Sequence, residues 1–343
     1  MVPPLFAASL LAGLVLLGLK AETYPLSSVY HCGYEVARQD KPAANILFIG
    51  NSFTGSAIDT LYMEELLGDD HPVTVEKLAT LRGNVVDLRM LMRTYIENRG
   101  APDLVMFQPI AVRFASQSPA GRPVHSNANL AFNDLEDLFS IRANVNADEN
   151  DDSMPPWTQK GYRTSLALVV DQQASRASAG LSFLRMAGMR QICRSEQKER
   201  LSGGWPWGDL PLAAGDEDAL HVAPEHREGW DETLSTRQPL AWSSHERSFE
   251  REQLLQTFAE IEAAGGKVML IDFPSFGYDD AEAEDIADTA DAFRRPILNV
   301  RSTMSPDEIA ALAMHYRDPL HFDFAGAEII TRRVATELKR HVR

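Results

Sequence analysis

One serine, one histidine and one aspartate are placed along this chain in a way that suits acyl transfer. Ser52 follows a short apolar run at residues 45–49, in the stretch ILFIGNSFTGSAID. Asp318 and His321 lie near the other end, in YRDPLHFDFAGAEII. A hydroxyl attacks an acyl carbonyl when a histidine takes its proton and a carboxylate orients that histidine. The three residues therefore predict a nucleophile, a base and an orienting acid.

Each of these residues also has a purely structural interpretation. A serine or an aspartate beside a helix commonly caps it, and a histidine commonly packs in the core or lies on the surface. A serine after a glycine and an Asp-x-x-His spacing are both frequent when taken alone. Their occurrence at opposite ends of one alternating strand and helix pattern favours the catalytic interpretation.

That pattern predicts the elements that must position the three residues. Apolar runs predict strands at 45–49, 73–78, 103–107 and 267–273, and amphipathic runs predict helices at 59–67, 85–98, 248–264 and 324–342. Strands that are apolar throughout and alternate with helices predict a parallel sheet covered on both faces, an α/β/α three-layer sandwich. Ligands bind at the carboxyl ends of such strands. Ser52 is expected at the first of these ends, before the first helix, in a tight turn that Gly50 permits.

The chain divides into three predicted regions. Residues 1–21 contain an uncharged apolar run at 5–19, which predicts an uncleaved signal-anchor or, alternatively, a cleaved signal peptide. Residues 22–44 form a predicted stalk, and 45–343 form the α/β domain with a large insertion at about 114–245, after the third strand. Both interpretations of the N-terminus predict a periplasmic or extracellular protein.

Composition and side-chain spacing exclude several classes of function. Asp and Glu outnumber Lys and Arg by 49 to 33, so the formal charge of −16 would repel phosphate backbones and no nucleic acid is expected as a partner. His221, Glu225 and His226 lack zinc-site spacing, so neither a metal nor a cofactor is predicted. Cys32 and Cys193 are compatible with one disulfide or with two unpaired thiols.

The stretches I-L-F-I-G-N-S-F-T and D-P-L-H-F-D-F-A-G-A resemble those of SGNH (GDSL-type) hydrolases. The resemblance spans most of residues 45–110 and 248–343. It is closest to the membrane-anchored cell-envelope branch, which includes alginate O-acetylation proteins and the D-alanyl transfer protein of teichoic acid synthesis. It implies a flavodoxin-like SGNH fold in which Ser52 is the nucleophile, His321 the base and Asp318 its orienter.

The oxyanion hole implied by this resemblance has three donors. The first is the N–H of Ser52, and the second corresponds to Gly83, after the second predicted strand. The G-x-N-D block expected after the third strand is absent, so Gln108 or Asn84 is the candidate for the third donor. Asn51 stands where GDSL enzymes carry Asp, a change that the envelope branch also tolerates.

The predicted function is that of a serine-dependent O-acyl esterase or O-acyltransferase working through an acyl-enzyme on Ser52. The expected substrate is an acylated cell-envelope glycan or another small acyl ester, and the resemblance implies a membrane-bound acyltransferase as a partner. Esterase and transferase remain alternatives, because the acceptor would bind in the insertion. A non-catalytic, membrane-anchored binding or assembly factor that retains the fold is the alternative from another class.

Overall fold

Five parallel strands form the sheet in a computed structural model that describes residues 12–13, 36–68, 72–80, 85–109, 227, 230, 242, 248–277 and 280–341. The strands are β1 (Ile46–Asn51), β2 (Val75–Thr80), β3 (Leu104–Phe107), β4 (Lys267–Asp272) and β5 (Ile297–Asn299). Their order in the sheet is β2-β1-β3-β4-β5, and every neighbouring pair is parallel. The predicted parallel α/β sheet is therefore confirmed, with β5 as a strand that the sequence pattern did not indicate.

Eight helices lie within the described residues. They are α1 (Ser52–Ala57), α2 (Thr60–Leu67), α3 (Val85–Arg99), α4 (Ser248–Ala263), α5 (Asp280–Phe293), α6 (Val300–Thr303), α7 (Pro306–Ala313) and α8 (Phe324–His341). The four predicted helices correspond to α2, α3, α4 and α8. The other four were not predicted, and α1 among them carries Ser52.

Alternate residues of β1 face two separate apolar cores. Leu47 and Ile49 pack on one face of the sheet with residues of α3 and α4, including Leu91 and Phe258. Ile46 and Phe48 pack on the other face with residues of α1, α2 and α8, including Phe53, Met63 and Val334. Side chains of a strand point alternately to its two faces, so this interior strand is covered by helices on both sides.

Residues 36–44, which we call the N-terminal strap, pack against the domain although the sequence predicted them to be part of a stalk. Ala37 and Ala44 are buried. The Arg99 side chain at the end of α3, itself 0% exposed, donates hydrogen bonds to three strap carbonyls, those of Val36, Lys41 and Pro42. The strap is therefore bound to the edge of the sheet where the strands begin.

A partly buried carboxylate on β2, that of Glu76, completes this contact. Glu76 accepts two hydrogen bonds from the Arg99 guanidinium, at 2.7 and 3.1 Å, and one from the Tyr95 hydroxyl. Lys41 of the strap forms an ion pair with Glu76. Burial acts to raise the pKa of Glu76, but the Arg99 and Lys41 interactions outweigh it and hold the pKa below its ordinary value.

Several sequence predictions concern residues outside the described ranges. These are the first part of the N-terminal segment, most of the insertion at 114–245, Gly83, Asn84, Cys32, Cys193 and the histidines near residue 221. Within the described ranges, no helix has the length and apolar character required to cross a membrane.

Candidate active site

Ser52 is the first residue of helix α1, directly after β1. The helix is capped by Asn51, whose side-chain Oδ1 accepts a hydrogen bond from the Phe53 N–H at 2.9 Å. The prediction that Ser52 lies in a turn before the first helix is therefore wrong. The capping interpretation of Ser52 is also wrong, because asparagine is a strong N-cap and occupies that position here. The serine hydroxyl is thereby left available at the carboxyl end of β1.

Asp318 and His321 lie in a tight loop that is closed by a β-bridge between Tyr316 and Phe322. Asp318 Oδ1 accepts hydrogen bonds from the main-chain N–H groups of Leu320 and His321, both at 2.9 Å. The same carboxylate contacts His321 Nδ1, with Oδ2 at 2.7 Å. The three-residue spacing thus folds the histidine back onto the aspartate.

The structure brings Ser52, His321 and Asp318 into one hydrogen-bonded chain. His321 Nε2 lies 2.8 Å from Ser52 Oγ, although the two residues are 269 positions apart in sequence. Because the ionised carboxylate can only accept, the proton on the imidazole belongs on Nδ1, which leaves the Nε2 lone pair facing the serine hydroxyl. This arrangement can remove a proton from Ser52 during attack on a carbonyl.

The electrostatics of Asp318 suit the role of an orienting carboxylate. Burial acts to raise the pKa of Asp318, but the His321 ring and the two main-chain N–H groups outweigh that effect and lower the pKa below its ordinary value. The carboxylate is therefore ionised at neutral pH, where it can hold the tautomer of His321 and stabilise the imidazolium that forms on proton transfer.

The loop that carries Asp318 and His321 is bound to the segment after β4. The buried Tyr316 hydroxyl donates to the Pro274 carbonyl at 2.9 Å, and the Phe276 N–H donates to the Pro319 carbonyl at 3.0 Å. Trp230, from the predicted insertion, packs edge-on against Phe276 with ring centroids 5.0 Å apart. Tyr316 could not be recognised from the sequence, because its partner, Pro274, lies on a different segment of the chain.

An aromatic cluster joins the two segments that supply the site. Phe53, the neighbour of Ser52, stacks on Phe322, the neighbour of His321, with ring centroids 6.0 Å apart and planes 7° apart. Phe53 also meets the His321 ring edge-on at 6.3 Å. Packing of this kind contributes about 0.5–1.5 kcal/mol for each ring pair beyond its buried area. It therefore helps to fix the position of Ser52 relative to His321.

Two of the four oxyanion-hole candidates can be located. The Ser52 N–H is one of the first N–H groups of α1, which have no acceptor within the helix. Gln108 follows β3 and is buried, and its Oε1 accepts a hydrogen bond from the Thr54 hydroxyl at 2.7 Å. Gly83 and Asn84 lie outside the described residues. The sequence did not indicate Thr54, since its relevance depends on contact with Gln108.

Gly50 is needed for close packing, and the prediction that it forms a turn is wrong. The residue lies within β1. A Cβ atom at this position would lie 2.7 Å from Gln108 Oε1 and 2.9 Å from Gln108 Cβ, and it would also collide with the Thr54 hydroxyl. The glycine therefore lets the Gln108 side chain lie directly against the strand that leads to Ser52.

A buried lysine holds the other end of helix α1. Lys77 of β2 donates hydrogen bonds from Nζ to the carbonyls of Gly55, at 2.7 Å, and Ile58, at 2.6 Å. Burial lowers the pKa of Lys77 to about 8, against the opposing effect of the Asp59 carboxylate. The six-residue helix is therefore fixed at its first turn by Asn51 and at its last by Lys77.

Comparisons with known proteins add no family assignment. No protein-family model matches the sequence, and no curated protein matches it either. Among the described residues, no group of three His, Cys, Asp or Glu side chains is arranged to hold a metal ion.

Proposed function

We propose that the chain is a serine-dependent O-acyl esterase or O-acyltransferase of the SGNH type. The observation that carries this proposal is the 2.8 Å contact between Ser52 Oγ and His321 Nε2, continued to Asp318 through His321 Nδ1. The resemblance of the Ser52 and Asp318–His321 stretches to SGNH hydrolases supports the same class. Under this proposal, the predicted region at 114–245 is an insertion in that fold.

In the proposed first half-reaction, Ser52 Oγ attacks the carbonyl carbon of an acyl ester. His321 Nε2 takes the hydroxyl proton, and the negative charge moves to the carbonyl oxygen. The Ser52 N–H and the Gln108 side-chain amide donate hydrogen bonds to that oxyanion, with Gly83 or Asn84 as further donors. The tetrahedral intermediate then collapses, the alcohol leaves with the proton from His321, and an acyl ester remains on Ser52.

The second half-reaction distinguishes the two activities. Water or a sugar hydroxyl gives its proton to His321 and attacks the acyl-enzyme, which releases a free acid or forms a new ester. We propose an acylated cell-envelope glycan as the substrate class, outside the cytoplasmic membrane, with the N-terminal segment as an anchor. A membrane-bound acyltransferase would be the partner in the transferase case.

The test is covalent labelling with a fluorophosphonate probe, which reacts with an activated serine. Wild type should be labelled at Ser52, as mapped by peptide mass spectrometry, and Ser52→Ala and His321→Ala should not. Ser302→Ala removes an exposed hydroxyl in α6 and should be labelled like wild type. Equal labelling of wild type and Ser52→Ala would refute the assignment. A folded wild type with neither labelling nor aryl-ester turnover, but with glycan binding, would favour a non-catalytic binding factor.

A further inference from the structure

Thr54 and Gln108 form a buried polar pair beside Ser52. Thr54 is 0% exposed and Gln108 is 7% exposed. Thr54 lies two positions after Ser52 in α1, whereas Gln108 follows β3, and the distance from Thr54 Oγ1 to Gln108 Oε1 is 2.7 Å. The hydrogen bond therefore links the helix that begins with Ser52 to the neighbouring strand end.

This hydrogen bond determines which half of the Gln108 amide remains available. A glutamine side chain has one carbonyl oxygen that accepts and one NH₂ group that donates twice. The Thr54 hydroxyl is bonded to the oxygen, and no described residue accepts a hydrogen bond from Nε2. The unused part of the amide is therefore its donor group, which is the part that an oxyanion requires.

The close approach at Gly50 places this amide at the end of β1. Gln108 Oε1 would lie 2.7 Å from a Cβ atom on Gly50, two residues before Ser52. If the amide were rotated by 180°, Nε2 would be bonded to Thr54 and the carbonyl oxygen would take the place of the donor group. An acceptor there would repel a developing oxyanion, so the orientation of this amide matters for the proposed chemistry.

We propose that Thr54 is a positioning residue that holds the Gln108 amide with its N–H donors directed to the acyl oxygen of the Ser52 intermediate. This inference rests on the proposed function. The hydrogen bond from the Thr54 hydroxyl anchors the amide beside Ser52. Because it is made to the carbonyl oxygen, it also polarises the amide, which makes the N–H groups better donors. Thr54 itself touches no reacting atom, so its removal should slow acylation and leave ester binding unchanged.

The first experiment compares Thr54→Val and Thr54→Ser with wild type in steady-state hydrolysis of an aryl acetate. Valine keeps the shape of threonine without the hydroxyl, so kcat should fall about tenfold to a hundredfold while KM stays within about twofold, as expected for loss of part of an oxyanion donor. Serine restores the hydroxyl, so kcat should return to within about threefold of wild type. Thermal unfolding of each variant checks that it is folded, so that the kcat values compare folded proteins.

The second experiment is a double-mutant cycle with Gln108→Leu, which removes the amide. If Thr54 acts through Gln108, Thr54→Val should change kcat by less than about twofold in the Gln108→Leu background. Equal effects of Thr54→Val in the two backgrounds would overturn the inference. So would a Thr54→Ser variant as slow as Thr54→Val.

A third variant keeps the inference testable if Thr54→Val does not fold. Gln108→Glu preserves the shape of the side chain and an oxygen that can accept from Thr54, but it replaces the N–H donors with a second oxygen. Its kcat should fall at least a hundredfold, and a kcat like that of wild type would overturn the inference. Failure of the proposed function is recognised separately, because wild type itself would then show no turnover that depends on Ser52.

Discussion

Asp318 holds His321 at two points, through its ring and through its main chain. The carboxylate lies 2.7 Å from His321 Nδ1, and its other oxygen accepts the His321 N–H at 2.9 Å. The ring and the backbone of the histidine are thus fixed by the same side chain. Both contacts help to align the imidazole with Ser52.

Asp318→Asn should lower kcat for an aryl acetate by roughly a thousandfold or more while the fold is retained. Asparagine can donate to Nδ1, which would favour the wrong tautomer of His321, and it removes the charge that stabilises the imidazolium. Asp291→Asn changes an exposed carboxylate on α5 and should leave kcat unchanged. The measurement is steady-state hydrolysis by all three proteins. An Asp318→Asn variant as fast as wild type would show that Asp318 is misassigned as the carboxylate that orients His321.

The pH profile of the wild type gives an independent check on the histidine base. Because the pKa of Asp318 is lowered, this carboxylate stays ionised from pH 5 to 9 and contributes no step in that range. Its contribution to stability is present above its unfolded pKa and is lost only as the pH falls through the lower folded pKa. Activity should therefore rise with pH in the range where an imidazole base loses its proton. A flat profile of kcat/KM would argue against a histidine base.

Gly50→Ala should lower both activity and stability. The added methyl would displace Gln108 and Thr54, so we expect kcat to fall at least tenfold and the free energy of unfolding to fall by about 1–3 kcal/mol. Gly100→Ala is the control, because Gly100 has a positive φ of 85° but has open space around the Cβ position, far from Ser52. That variant should lose stability and keep its kcat. If Gly50→Ala kept full activity, the close packing would have no catalytic consequence.

Lys77→Met should remove a pH-dependent part of the stability. Burial lowers the folded pKa of Lys77 to about 8, whereas an unfolded lysine titrates near 10.4. Between these values the unfolded chain binds more protons, so the free energy of unfolding of wild type should rise with pH. Relative to Lys77→Met, wild type should gain up to roughly 3 kcal/mol between pH 7.5 and 10.5.

Urea unfolding at pH 7.5, 9 and 10.5 measures this difference. Lys267→Met removes an exposed lysine from β4 and is the matched control for the loss of one lysine. A constant difference between wild type and Lys77→Met would mean that Lys77 is not desolvated as the structure indicates.

Arg99→Met should destabilise the domain by about 3–5 kcal/mol, because it leaves the Glu76 carboxylate without its main partner and three strap carbonyls without their donor. Replacing Glu76 as well, in Arg99→Met/Glu76→Met, should recover part of the loss, since the carboxylate is removed together with Arg99 and the remaining charge, on Lys41, is 46% exposed to water. Urea unfolding measures both effects. Because the contact is remote from Ser52, the kcat of the folded single variant should match that of wild type. A loss under 1 kcal/mol would contradict this account.

The sequence predicted the strands and helices that can be recognised from the apolar pattern of their own residues. β1, β3 and β4 are largely apolar and buried, and β2 was indicated by Val75 and Leu78 although it also carries Glu76 and Lys77. Their parallel arrangement followed from the helices between them. β5 was missed because it has three residues, of which only Leu298 is buried. Helix α5 was missed because its sequence, DAEAEDIADTADAF, has too few apolar residues to define a face.

The residues of the site likewise divide into those that could be proposed from the sequence and those that could not. Ser52, Asp318 and His321 could be proposed because their types and their positions at strand or helix ends suggest chemistry. Helix α1 could not be predicted, because the sequence SFTGSA has weak intrinsic helix propensity. Its formation depends on the Asn51 cap and on the Lys77 contact. Thr54 and Tyr316 were missed for a related reason, since their partners are 54 and 42 positions away.

The N-terminal strap and Ser52 lie at opposite edges of the sheet. The strap is held where the strands begin, whereas Ser52 lies where β1 ends. Six residues of strand separate these two edges by about 20 Å. A chain tethered through the residues before the strap would therefore present Ser52 on the side away from its tether. If the apolar N-terminal segment is an anchor, as proposed above, the edge of the sheet that carries Ser52 is the one opposite the edge at which the anchored chain enters the domain.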